Sequence, residues 1–122
     1  MPCAGNYPMH KDASDLDVGL PDGIDDRHYL QLLDAHWPRL LDEVEPDMVF
    51  YQCGVDILET DKLGRLGVSS EGCVARDRRI LERCHADEVP VVCSMGGGYS
   101  HDIWHIVEAH CNTFRIAHEL WG

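Results

Sequence analysis

Three stretches of this 122-residue sequence carry side chains able to do chemistry. The first is Gln52-Cys53-Gly54-Val55-Asp56-Ile57-Leu58-Glu59-Thr60-Asp61, an apolar run closed by glycine and followed by carboxylates. Just past a strand end, Asp56 is placed to be a hard-oxygen metal ligand or a general base. The competing reading is a turn aspartate that hydrogen-bonds local backbone N–H groups. Asp61 sits deeper and reads as a loop-bracing carboxylate. The second stretch is Met95-Gly96-Gly97-Gly98-Tyr99-Ser100. Its glycines could let a backbone approach a ligand, or form an anion nest at the start of a helix. Tyr99 could donate its phenol O–H to a developing oxyanion, or simply cover a sheet edge. Neither phosphate fingerprint is present: there is no Gly-Lys-Ser/Thr ending and no G-x-G-x-x-G. The third is His101, His105 and Glu108, at i, i+4 and i+7, with His110 nearby. Two His four apart can bind zinc on a helix. Here they lie opposite an apolar stripe and read as a solvated face. Cys53 is a poor nucleophile candidate, because no His is placed to activate it.

These residues need a scaffold. Residues 1–24 are rich in Pro, Gly, Asp and Asn and read as irregular, with one alternating piece at Asp15–Leu20 that suggests a short half-buried strand or an extended segment. Residues 25–122 read as an αβαβα unit. Asp25 or Asp26 caps a helix whose Tyr29, Leu30, Leu33, Trp37, Leu40, Leu41 and Val44 recur at helical spacing. Pro38 should kink or split it near His36–Trp37. Met48–Cys53 and Val89–Ser94 are apolar runs of the kind buried on both sheet faces. Between them lie a long loop, Gly54–Val68, and a helix over about Ser70–Asp87. Loops of that length are often functional. The last helix, about Ser100–Leu120, carries an apolar stripe at Ile103, Val107, Cys111, Phe114 and Ala117. Strand, helix, strand, helix implies parallel strands joined by a right-handed crossover. Ligands of such sheets bind beyond the carboxyl ends of the strands, so Asp56 and Tyr99 should share one rim. Two firm strands make a very small parallel sheet, which points to part of a larger domain.

Composition narrows the function classes. Lys+Arg 10 against Asp+Glu 22 gives a net charge of −12, the wrong sign for a nucleic-acid backbone binder. The densest basic cluster, Arg76, Arg78, Arg79 and Arg83, alternates with acids and reads as a solvated helix face. No apolar run reaches the roughly 18 residues of a membrane span. The N-terminus has no secretion-signal pattern, and the six cysteines include no C-x-x-C pair. A cytoplasmic protein with reduced thiols is the expectation, with Cys53, Cys84, Cys93 and Cys111 buried.

Together these segments resemble the C-terminal part of the zinc-dependent histone deacetylase family, including its bacterial acetoin-utilisation and class IV types. The resemblance rests on Asn6-Tyr7-Pro8, Ser14–Val18, Leu20–Gly23, Pro46–Tyr51, Gly54–Leu58, Asp61–Gly64 and Gly96–Ser100, in that order, and spans nearly the whole chain. It implies a three-layer α/β/α fold with a parallel sheet, of the arginase/deacetylase kind, of which only the C-terminal βαβα portion is present. It implies that Asp56 is one ligand of a catalytic Zn2+, and that Tyr99 is the catalytic tyrosine that hydrogen-bonds the acetyl carbonyl. Gly97 and Gly98 would shape the wall of the acyl-lysine tunnel, and Asp61 would be structural. The implied substrate is an acetylated lysine side chain or an acetylated small amine. The family's other zinc ligands, from an Asp-x-His segment, and its His-His pair lie upstream of everything matched here. Catalysis would then need the missing N-terminal section as a partner, attached or in trans. Two other readings stay open: a non-catalytic α/β module that completes a partner's sheet, and an anion-binding domain built on the triple glycine.

Overall fold

The computed structural model describes residues 12–122. The quoted Asn6-Tyr7-Pro8, together with Cys3 and His10, lies outside the described residues.

Helix α1 spans Asp26–Val44. Asp25 caps it, its carboxylate accepting from the His28 N–H at 2.9 Å. Pro38 lies inside, yet the helix runs through it unsplit. Burial of Tyr29, Leu33 and Leu41 on one side offsets the single missing donor. Glu45 takes the left-handed conformation at the end, its N–H donating to the Leu41 carbonyl at 2.9 Å, and Pro46 follows. Strand β1 is Val49–Gln52, helix α2 is Ser70–Ala86, strand β2 is Val91–Ser94 and helix α3 is Ile103–Trp121. The strands pair in parallel, with Val49 opposite Val91 and Gln52 opposite Ser94. Parallel pairing across an intervening helix is what the sequence pattern implies.

Among the described residues, only one face of this sheet is covered. Leu33, Ile80, Leu81 and Ile116, from all three helices, pack with Tyr51 and Cys53. On the opposite face Phe50 is 79% exposed and its register partner Val92 is 44% exposed. The expectation that both strands are buried on both faces is therefore corrected: their apolar runs are continuous, but the described residues supply one covering layer. The stripe of α3 is corrected for the same reason. Ile103, Val107 and Phe114 face outward, while Ala109, Thr113 and Ile116 turn inward. Cys93 is exposed and Cys111 half-buried, whereas Cys73 joins Cys53 and Cys84 in the interior. Residues Asp15–Leu20 form no strand, although Leu20 is buried.

The basic cluster divides. Arg79 pairs with Asp34 at 2.8 Å and Arg83 with Asp42 at 2.6 Å, tying α2 to α1. Arg78 pairs with Glu119 of α3 at 2.8 Å. These three are surface arginines as the alternating charges imply. Arg76 is not: it is 4% exposed, beside a fully buried Asp77.

The long loop after β1 has a core of its own. Val55, Ile57, Leu58, Leu66 and Val68 are buried with Leu20, Ile24, Tyr29, Cys73 and Ala109. Asp26 fastens the loop's end, accepting from the Ser69 N–H at 2.7 Å and from the Ser69 hydroxyl at 2.5 Å. Ser69 in turn caps α2 by accepting from the Gly72 N–H at 3.0 Å. The loop is thus a packed platform under the rim of the sheet.

Candidate active site at the rim of the sheet

Both strands end on the same rim, and hydrogen bonding continues beyond them. The Cys53 N–H donates to the Ser94 carbonyl at 2.9 Å, and the Val55 N–H donates to the Gly96 carbonyl at 3.1 Å. This extension carries Asp56 and the triple glycine forward side by side. Asp56 lies against Gly97: a Cβ on Gly97 would come within 2.9 Å of the Asp56 Cβ. A Cβ on Gly54 would meet Asp56 Oδ1 at 3.1 Å. The Asp56 side chain therefore occupies space that two glycines leave open. Gly97 and Gly98 also have φ of 65° and 110°, which a side chain would strain. At Gly98 a Cβ would press on Ile106 of α3 at 2.7 Å and on Val55 at 3.1 Å.

Asp61 joins the two loops. It is 7% exposed. One carboxylate oxygen accepts from the N–H groups of Leu63 at 2.9 Å and Gly64 at 2.7 Å. The other accepts from the Tyr99 N–H at 2.7 Å. The Lys62 N–H returns a bond to the Tyr99 carbonyl at 3.3 Å, and Thr60 and Ser100 hydroxyls meet at 2.8 Å. Asp61 is thus a brace, as its place in the loop suggests, and what it braces is the backbone of Tyr99. The Tyr99 side chain stays 53% exposed at the rim.

The remaining candidates separate from this site. The triple glycine does not open α3, which begins at Ile103 with Asp102 as its cap, so an anion nest at that helix start is excluded. His101, His105 and Glu108 are exposed. His105 faces Asp102 at 3.9 Å, and Glu108 binds Arg115 at 2.5 Å. Cys53 is buried, burial pushes its thiol pKa up, and it donates to the Ser94 carbonyl at 3.2 Å. That is a protonated core thiol, not a nucleophile.

The chain matches the histone deacetylase domain model over residues 2–114. It belongs to the histone deacetylase family. It is 44% identical over 121 residues to an uncharacterized protein of Picosynechococcus sp., spanning 99% of this chain and 40% of that protein. Histone deacetylase 1 of Oryza sativa subsp. japonica is 34% identical across 86% of this chain, and Histone deacetylase 2 of Arabidopsis thaliana 32% across 70%. This deacetylase-family chain spans only 20% and 22% of those two plant proteins. The HDA15 HD domain superposes with a TM-score of 0.57 over 98% of this chain and 42% of its own, at 18% identity, which establishes the shared α/β fold.

The family is generally metal-dependent, and the residues present can be held against that requirement. Among the described residues, no three His, Cys, Asp or Glu side chains converge to hold a metal ion. Catalytic zinc takes three protein ligands and an open position. Asp-x-His spacing does occur within α1, at Asp26-Arg27-His28 and Asp34-Ala35-His36, but it serves the helix. Asp26 holds Ser69, His28 pairs with Asp25 at 2.7 Å, and Asp34 pairs with Arg79. The described residues do not by themselves fit the metal.

Proposed function

We propose that this chain is the C-terminal section of a zinc-dependent deacetylase, which hydrolyses the acetyl amide of acetyl-lysine or of a small acetylated amine. The observation that carries the reading is the juxtaposition at the rim. Asp56 is seated between Gly54 and Gly97, and two residues beyond Gly97 the backbone of Tyr99 is held by Asp61. Asp56 would supply one carboxylate toward the metal, with the remaining ligands contributed by a section outside this chain. Tyr99 holds its phenol O–H toward the acetyl carbonyl and donates to the oxygen as it gains charge, the step at which a preorganised donor is most effective. Gly97 and Gly98, packed against Asp56, Ile106 and Val55, would present backbone to the wall of the acyl-lysine tunnel. The net charge of −12 suits a basic substrate tail.

The outward face of the sheet supports the need for a second section. Phe50, Val92, Met48 and Met95 are all exposed, as are Ile103, Val107 and Phe114 on α3. Exposed large apolar side chains in such number are the mark of a surface that another segment covers. The same face favours one alternative, a non-catalytic module that completes a partner's sheet.

Complementation separates the two. The chain is co-expressed with the part of the Picosynechococcus relative that it does not span. The deacetylase reading expects the two to co-purify and to release acetate from an acetyl-lysine peptide, with release lost in Tyr99→Phe. A complex that forms but releases no acetate leaves the interaction module standing instead.

A further inference from the structure

The pair Arg76–Asp77 has no part in the chemistry above, yet among the described residues it is the most buried ion pair, with side chains 5% and 1% exposed. Ions removed from water this way cost several kcal/mol each unless hydrogen bonds compensate. Here every polar atom is used. Asp77 Oδ1 accepts from the Tyr51 hydroxyl, from Arg76 Nε at 2.9 Å and from Arg76 Nη2 at 2.8 Å. Asp77 Oδ2 accepts from the Thr113 hydroxyl at 2.5 Å. Arg76 Nη2 also reaches the Cys73 thiol at 3.5 Å, and the guanidinium lies 5.7 Å from the Tyr51 ring centre. Its remaining nitrogen, Nη1, donates to the Gly54 carbonyl at 2.6 Å.

The partners divide into two kinds. Tyr51, Cys73 and Thr113 sit on β1, α2 and α3, which apolar packing already holds together. Gly54 is different. It lies two residues past the end of β1, its open α-carbon accommodates the Asp56 carboxylate, and the next N–H, of Val55, bonds to Gly96. A charge-assisted bond to that one carbonyl fixes the peptide from which Asp56 and its contact with Gly97 are suspended.

We propose that Arg76 is a positioning residue for the rim: through the Gly54 carbonyl it sets the strand-end peptide that presents Asp56 to Gly97. Asp77 holds the guanidinium in place from behind. The importance of Asp56 in this statement rests on the deacetylase reading, but the positioning itself does not.

A stability role alone would not require ions, because apolar side chains of similar volume can replace a buried pair without loss. The test uses amide hydrogen exchange on the 15N-labelled 122-residue chain, with no metal or substrate, so it succeeds or fails independently of any deacetylase activity. Two variants are compared with the parent: Arg76→Lys, which keeps the charge but loses the fork, and the double change Arg76→Met with Asp77→Leu. The readout is the loss of protection at the Val55 N–H relative to the loss at α1 amides such as those of Leu33 and Leu41. The expected result in both variants is a relative loss on the order of tenfold or more, the effect of one charge-assisted hydrogen bond. Protection at Val55 that is unchanged, or that falls only in step with α1, wholesale unfolding included, overturns the proposal.

Discussion

Replacing Gly97 by alanine should disturb the rim in a way that can be apportioned, because Gly23 provides a matched control. Both glycines have positive φ, 71° at Gly23 and 65° at Gly97. A Cβ at Gly23 meets nothing within 4 Å, so Gly23→Ala reports the backbone effect alone. A left-handed alanine costs about 1–2 kcal/mol, partly offset by about 0.4–1 kcal/mol from a stiffer unfolded chain. The net loss is therefore about 1 kcal/mol or less. At Gly97 the same term applies, and the new methyl also falls 2.9 Å from the Asp56 Cβ, 3.2 Å from its Cγ and 3.4 Å from its backbone nitrogen. Rotation about χ1 of Asp56 cannot move its Cβ, so relief requires the backbone to shift. Overpacking of that kind costs about 1–3 kcal/mol. Gly97→Ala should thus lose about 1–4 kcal/mol. For a chain of this size each kcal/mol lowers Tm by roughly 3–5 °C. Urea titration and thermal melting of both variants measure the difference, and the Asp56 cross-peak reports the local shift. Equal losses at Gly97 and Gly23 would refute the close seating of Asp56 against the glycine.

Further outcomes follow from other parts of the site. Tyr99→Phe should leave urea stability within about 0.5 kcal/mol, because the exposed ring keeps its contacts, while lowering acetate release by the complemented complex on the order of 100-fold or more. Asp61→Ala strands three backbone N–H groups, at Leu63, Gly64 and Tyr99, and should cost about 2–4 kcal/mol by urea titration, with lost exchange protection at the Tyr99 N–H. Burial pushes the Cys73 thiol up from 9.0 to about 11. Its contribution to stability is complete below the unfolded thiol's value and is lost as pH rises from about 9 toward 11, a drop of up to about 2–3 kcal/mol. Denaturation at pH 8 and pH 10.5 measures this, and Cys73→Ala should flatten the slope.

Much of the scaffold was legible because it rests on local rules. Alternation of apolar runs and helical periodicity marked β1, α2 and β2, and glycine after each run marked the rim where Asp56 lies against Gly97. What escaped depended on which surfaces are covered. The apolar stripe of α3 looks like a core face in sequence, and Phe50 and Val92 look like buried strand residues. Periodicity reports that a face is apolar, not which molecule or segment buries it. Arg76 and Asp77 escaped for a different reason. In an arginine-rich helix, neighbouring charges look alike, and only the inward angle of two adjacent positions distinguishes an internal ion pair from a solvated one. The partners that stabilise it, Tyr51, Thr113 and Gly54, are 22 to 36 residues distant in sequence. The same limit hid the Asp61–Tyr99 link, because a carboxylate bound to a backbone N–H leaves no trace in the identity of the residue that donates.

In the proposed function, this chain contributes Asp56 and Tyr99 to a deacetylase centre completed by a second section. Acetate release from an acetyl-lysine peptide tests it most directly, measured for the chain alone, for the chain with the complementary section of the Picosynechococcus relative, and for that complex carrying Asp56→Ala. Release is expected only from the complex with Asp56 intact. Release by the 122-residue chain alone, or undiminished release by the Asp56→Ala complex, would contradict it.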